Sequence, residues 1–423
     1  MQALFVLIHL GLLVYFIGRR FDLFTLAFYT STVYFLPGYF GYASYQNAGD
    51  LQQDPLGLRI YAFYFAYYGL LFLCALLVQA PRAASGPGMD SASQNAVGGS
   101  ERLFHFLILL RWSVPVLLVA AQLLTPGGLW QEDKQDLLDS ASMAYPMFQN
   151  GAFVYLVIAV VRKSRLDGLL GAAYCLVDLA LSFRSVTAFA FFALVTIYMM
   201  QKPRRSIALS CLVPVAIVGA FLFGSVYKSM VVRFAVDGVQ GVTAYLQDPA
   251  AVGDNFAQNE AFQQQHIFNK VLETDFSVPT GYAWNMARLF FPGLANTLFG
   301  RNLSFNDYFQ PALYPEVPWG MASNIWAEQY GAGGIVWLYL FVILFFLMLL
   351  AINKFALKLL AEGKSDKFLF VVVMIVPVLI FMHRNDLLYQ LVLVRDMAGL
   401  LVIFGFLARI RTRPVPVWAA RAG

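Results

Sequence analysis

Residues 335–352 read IVWLYLFVILFFLMLLAI, an apolar run without a single charge. At 1.5 Å per residue such a run makes about 27 Å of helix, close to the hydrocarbon thickness of a bilayer. A helix apolar on every face belongs in a membrane or in the heart of a very large core, so this stretch decides the class. Working outward, comparable runs cover roughly 2–18, 23–45, 58–80, 103–124, 144–161, 166–183, 184–201 and 206–227 before it. The central run extends over 324–352, and two more follow at 367–383 and 388–409. The expectation is an all-α, polytopic integral membrane protein with about 11 transmembrane helices. Composition agrees: 60% of the residues are hydrophobic and 13% charged, with a mean hydropathy of +0.65. A soluble domain carries about 25% charged residues.

Lysine and arginine set the orientation. Short segments after odd-numbered runs hold 18 basic residues, from Arg19 and Arg20 to Arg409, Arg411, Arg413 and Arg421. The opposite face has five outside its one long loop: Arg59, Lys134, Arg184, Arg384 and Arg395. The positive-inside rule then predicts an outer N-terminus and a cytoplasmic C-terminus. The first run ends on Arg19-Arg20 and not on a small-residue cleavage site, so no cleavable signal is expected. Three regions follow. Residues 1–227 form an eight-span bundle with a Gly/Ser/Ala-rich cytoplasmic linker at 81–102; 228–322 form a large outer loop; 323–423 form three spans and a cytoplasmic tail. Within the loop, amphipathic stretches such as 256–271 read as helices lying on the membrane surface. Its aromatic residues argue against disorder.

Three polar clusters sit at the edges of spans on the same predicted outer face: Phe183-Arg184-Ser185, the segment from Asn324 through Glu328 to Tyr330, and His383-Arg384-Asn385-Asp386. Ionisable groups are costly at a hydrocarbon boundary, so their convergence suggests a site for a charged substrate. Arginine recognises phosphate bidentately and stays charged when partly desolvated, which nominates Arg184, Arg384 and Arg395. The bland reading of Arg184 pairs it with Asp178 to cap a helical hairpin, and Ser323 or Asn324 with Glu328 fits a helix N-terminus. Glu328 is the first choice as a base, with His383 or Asp386 as substitutes. In the long loop Trp284, Arg288, Arg301 and Asp307 mix aromatic and charged types suited to sugars, as does Tyr330. Arg111, inside the fourth run, needs an acidic partner from another helix.

Other chemistry is unsupported. Cys74, Cys175 and Cys211 lie within apolar runs without ligand spacing, and neither a DXD pair, a Walker loop nor HExxH occurs. No cofactor or metal is expected, and the net charge of +5 follows from the basic loops, so nucleic acid is not an expected partner.

Phe183-Arg184-Ser185 opening a span, Phe291-Pro292-Gly293 followed by Phe299-Gly300-Arg301-Asn302, the acid-aromatic-glycine segment Asn324–Gly334 and Arg384-Asn385-Asp386 together resemble bacterial oligosaccharide repeat-unit polymerases of the Wzy type. Many members carry an arginine directly after the proline, where this chain has Gly293. The resemblance implies a GT-C-like, metal-independent membrane glycosyltransferase of the bacterial inner membrane. It would act at the periplasmic face on undecaprenyl-pyrophosphate-linked oligosaccharides, among membrane lipids, beside a flippase and a chain-length regulator. Its arginines would hold the pyrophosphate and its acid would activate the acceptor. An O-antigen ligase, a lipid-linked oligosaccharide flippase and a membrane acyltransferase using His383 are the alternatives.

Overall fold

A computed structural model describes residues 1–47, 50–78, 101–130, 142–181, 183–202, 207–257, 259–282, 284, 303–317 and 320–411. In chain order the elements begin with α1 (Gln2–Gly18), α2 (Leu23–Tyr34), α3 (Pro37–Phe40), β1 (Tyr42–Asn47), β2 (Asp50–Pro55) and α4 (Leu58–Leu77). Next come α5 (Glu101–Leu124), α6 (Ala144–Val161), α7 (Arg165–Ala180), α8 (Ser185–Gln201) and α9 (Ile207–Leu246). The chain continues with α10 (Pro249–Ala257), α11 (Glu260–Glu273), α12 (Asn306–Leu313), α13 (Ile325–Ala361), α14 (Ser365–Phe381) and α15 (Leu387–Arg411).

The molecule is mostly helical. Among the described residues five helices are long and apolar enough to cross a membrane: α4, Leu103–Leu124 of α5, α6, α13 and Leu387–Leu407 of α15. The apolar helices α1, α8 and the Ala208–Gly219 part of α9 are shorter. The run expected as one span over 23–45 is divided. Asp22 caps α2 through the Thr25 N–H (3.0 Å), and the helix ends at Tyr34 before Pro37 and the left-handed Gly41 (φ 80°). The chain then turns into an antiparallel hairpin, paired from Tyr42↔Pro55 to Asn47↔Asp50. Its aromatic strand residues Tyr42 and Tyr45 lie at the end of the expected span, so among the described residues the mostly helical chain carries this hairpin where a continuous span was expected.

Two compact units interleave along the sequence. The first comprises Met1–Pro81, Lys202–Phe355 and Pro377–Leu393; the second Arg82–Gln201, Ala356–Val376 and Val394–Gly423. The first has a dense aromatic core in which Phe35 stacks on Tyr64 (ring centroids 4.3 Å apart) and meets Tyr67 edge-on (5.2 Å). Aromatic pairs of this kind add to the burial of their area. Helix α11 also belongs to this unit. Asn259 caps it, accepting from Ala261 N–H at 2.9 Å. Its amphipathic pattern suggested one face on a membrane surface; in the structure both faces are buried against protein. Phe262, Ile267 and Phe268 are fully buried, and so are Gln264 and Gln265 on the polar side. The hairpin and its neighbours meet that polar side: the Tyr64 hydroxyl donates to Gln265 Oε1 (2.8 Å), Gly57 N–H donates to Asn269 Oδ1 (2.9 Å), and His266 joins Asp54 Oδ2 (2.9 Å) to the Tyr314 hydroxyl (2.7 Å). A polar buried face needs partners of this sort, and lipid supplies none.

In the second unit Phe106 packs against Phe370 and Phe404 at 5.3 and 5.8 Å. Arg111 finds its acid there: Nε and Nη2 donate to Asp167 Oδ1 and Oδ2 at 2.7 and 2.8 Å. Tyr155 and Ser164 hydroxyls donate to the same carboxylate.

Candidate functional site

The site begins where α13 starts. Asn324, fully buried, accepts the Trp326 N–H on Oδ1 (2.9 Å), which makes it the N-cap. Its Nδ2 donates to the Gln264 carbonyl (3.3 Å), and Gln264 Nε2 returns to the Ala322 carbonyl (2.9 Å). The helix entry is thereby fixed to α11. Two glycines shape the next turns. A β-carbon at Gly331 would come within 3.1 Å of the Phe305 ring, and Gly334 adopts φ 71°, breaking α13 into a short first stretch and a long apolar one. The short stretch turns Trp326 and Glu328 inward, and both are fully buried.

Two carboxylates meet the N-terminus of α15. Glu328 Oε2 accepts the Leu387 N–H at 2.6 Å and Asp386 Oδ1 accepts the Tyr389 N–H at 2.8 Å. These N–H groups have no intrahelical acceptor, and the helix dipole favours negative charge beside them. Glu328 Oε1 receives the Tyr282 hydroxyl at 2.5 Å, while Gln329 Nε2 reaches Oε2 at 3.3 Å. Asp386 Oδ2 accepts the Phe305 N–H (3.3 Å), and the Asp386 N–H donates to Ser323 Oγ (3.0 Å). Burial raises the Asp386 carboxyl above the ordinary carboxylate range, and its backbone N–H donors oppose the rise. Burial, and then the Glu328 charge, hold the Tyr282 phenol protonated.

An open pocket of about 340 Å³ lies against this junction. Its polar wall is Ser304, Asn306, Ser323, Asn385 and Asp386. The apolar wall is Met321, Ala322, Leu388 and Val392, with the Tyr389 ring beside it. Of the three candidate bases, Asp386 alone lines this pocket. Glu328 sits behind it with both oxygens engaged.

His383 is sequestered. It is fully buried, Trp326 Nε1–H donates to its Nδ1 at 2.9 Å, and the Tyr67 hydroxyl lies 3.4 Å from Nε2. Tyr34 stacks on its ring at 5.5 Å and Phe35 meets it edge-on at 5.0 Å. With Nδ1 accepting, the proton resides on Nε2, so neither nitrogen is open to a substrate. This geometry removes His383 from the bases available in this conformation. Arg384 forms an ion pair with Glu260 Oε1 (3.2 Å) and lies over the Phe381 ring, 5.2 Å from its centroid.

The remaining candidates are dispersed. Tyr330 donates to Asp275 Oδ1 (2.5 Å), which also takes Arg59 Nη1 (2.6 Å). Trp284 is 60% exposed. Arg288 and Arg301 lie outside the described residues. Arg184 and Arg395 belong to the second unit. Arg184 precedes α8, its carbonyl accepting the Ala188 N–H (2.9 Å). Asp178 caps α8 through the Val186 N–H (3.3 Å) and accepts from Gln149 Nε2 (2.6 Å) and the Tyr145 hydroxyl (3.1 Å). Arg395 Nη2 pairs with the adjacent Asp396 (2.8 Å). Among the described residues no group of His, Cys, Asp and Glu is arranged to hold a metal ion.

Sequence reasoning missed Tyr282, Asn306 and Glu260. All three lie in the long loop, and no local motif marks a phenol or an amide that meets its partner only after folding. Together the helices and the site define a membrane-associated helical protein with an acidic pocket at a helix N-terminus. No family model, no curated protein and no solved structure matches the chain.

Proposed function

We propose that this protein is an integral-membrane glycosyltransferase of the bacterial inner membrane. It polymerises undecaprenyl-pyrophosphate-linked oligosaccharide repeat units at the periplasmic face, for O-antigen, capsule or exopolysaccharide. The observation that carries the reading is Asp386: a buried carboxylate, held by backbone N–H groups and the Ser323 hydroxyl and not by a cation, at the wall of an open pocket. Such a carboxylate is free to accept a proton from a hydroxyl. In the reaction the acceptor hydroxyl loses its proton to Asp386 as its oxygen bonds to the anomeric carbon of the donor glycan. The bond from that carbon to the pyrophosphate oxygen breaks, and the oxygen leaves with the electron pair. The resemblance assigns the developing phosphate charge to arginine. In the first unit Arg384 serves, exchanging Glu260 for phosphate; stabilisation of this kind supplies much of the rate in charge-separating reactions. Asp386 thus replaces Glu328 as the preferred base, and Glu328 positions the helix terminus that presents it.

The test is deletion of the gene in its own bacterium, with complementation by the unaltered and Asp386→Asn proteins. Surface glycan reduced to a single repeat unit in the deletion strain, restored only by the unaltered protein, is expected. Full-length polymer in the deletion strain overturns the proposal. Complete loss of glycan from the lipid A core points instead to a ligase or flippase.

A further inference from the structure

The pocket beside Asp386 carries no cation: its polar wall is two serines, two asparagines and one carboxylate. That set repels anions and offers both donors and acceptors, which suits hydroxyl groups. The opposite wall, with Leu388, Val392 and the Tyr389 ring, suits the apolar face of a pyranose. A volume of about 340 Å³ is at the low end for small-molecule pockets, about 300–1,000 Å³, and fits a ligand of few rings.

One amide sharpens the reading. Gln310 Nε2 donates to the Val317 carbonyl (3.2 Å) and its Oε1 accepts the Met321 N–H (3.0 Å), so backbone groups fix the orientation of Gln310. Asn306 faces that same Oε1 at 3.1 Å and must present its Nδ2 to it. This leaves Asn306 Oδ1 as a buried acceptor without a donor among the described residues. Such an atom costs about 1–3 kcal/mol, and the cost is relieved when the side chain turns to meet a ligand hydroxyl. Ser304 Oγ donates to Asp307 Oδ2 (2.9 Å) and keeps lone pairs for another donor.

We infer that this pocket holds an uncharged sugar ring of the acceptor, with Asn306 and Ser304 receiving its hydroxyl protons and Asp386 facing the hydroxyl that reacts. The pyrophosphate and acidic sugars are excluded from it by the Asp386 carboxylate. The inference rests on the glycosyltransferase reading and narrows it: the residue added to at each cycle is a neutral sugar.

The test uses the full chain purified in detergent. Saturation-transfer NMR is recorded with a panel of neutral methyl hexosides, with glucuronate and inorganic pyrophosphate as competitors. Binding of at least one hexoside is expected, unaffected by either anion. Val392→Trp, which fills the pocket, should abolish it, and Asn306→Leu should weaken it about tenfold. If Val392→Trp does not accumulate, the Asn306→Leu comparison decides alone. Displacement by glucuronate or pyrophosphate, no hexoside signal, or unchanged binding in these variants overturns the inference. The two proposals fail separately. Hexoside binding sensitive to Val392→Trp in a chain whose deletion leaves polymer intact keeps the sugar site and removes the polymerase. Polymer lost on deletion, with hexoside binding absent or unchanged by the variants, removes the sugar site alone.

Discussion

Asp167 in the second unit and Asp386 in the first are both buried acids, and they are held in opposite ways. Asp167 takes both forks of Arg111 and two hydroxyls, so its charge is matched and its lone pairs are filled. Asp386 takes two backbone N–H groups and the Ser323 hydroxyl, no cation, and borders open space. The first arrangement is complete without any ligand. In the second, dipoles stabilise a charge that still has capacity to bond. Burial alone therefore does not separate a structural acid from a reactive one; the partner does.

The largest effect that would break this contrast is on activity. Asp386→Asn should lower polymer formation at least about 100-fold, the usual contribution of a general base, while the protein accumulates normally. Polymer of normal quantity from this variant would end the assignment. Asp167→Asn should do the reverse. Leaving Arg111 without its counter-charge costs about 2 kcal/mol, less than for a fully buried pair because the Arg111 side chain is 36% exposed. A thermal midpoint lowered by several degrees, with activity per folded molecule unchanged, is expected. Glu328 offers a finer division. Glu328→Gln still accepts from Leu387 N–H and should keep activity within about tenfold, whereas Glu328→Ala removes a cap worth about 1 kcal/mol. Equal loss of activity in Glu328→Gln and Asp386→Asn would restore Glu328 as the base.

The smallest effect concerns a third carboxylate, Asp54, whose partner is an imidazole. Burial lowers the pKa of His266 below its ordinary 6.5, although the Asp54 charge opposes this. An unfolded chain then binds the proton more readily than the folded one. The stability that comes from burying this imidazole uncharged is complete above pH 6.5 and declines as the pH falls through 6.5 toward the folded value. Thermal midpoints at pH 8 and pH 5.5 should show the decline, and His266→Gln should reduce the difference. An identical difference in that variant would locate the titrating group elsewhere.

Much of the helical scaffold was legible, because an apolar run such as 335–352 has few alternatives. The neighbourhood of Glu328 and Asp386 was legible for a related reason: acids at span edges need partners, and here the start of α15 supplies an N–H to each. The hairpin was not legible. Tyr42 and Tyr45 satisfy a hydropathy window as well as a strand, and only the break at Pro37 and Gly41 hints at the difference. Helix α11 shows a second limit. An amphipathic pattern records that one face is apolar, but says nothing of whether the other meets water, lipid headgroups or the side chains of a hairpin. Arg111 shows the opposite case, where the need for an acid was evident and only its address, Asp167, was missing.

The interleaving of the first unit has a consequence for how the protein is made. Asn353 donates to Asp22 and accepts the Leu23 N–H, at 3.1 Å in each case, across more than three hundred residues of sequence. The last segment of the same unit ends at Leu393. At about 5–20 residues per second a ribosome needs on the order of 15–60 s to supply those partners after the amino-terminal helices emerge. During that interval Asp22 has its local partners Arg19 and Thr25, but the Leu23 N–H lacks its Asn353 acceptor. A chain truncated before residue 353 therefore lacks both of these bonds and should accumulate less than the full chain.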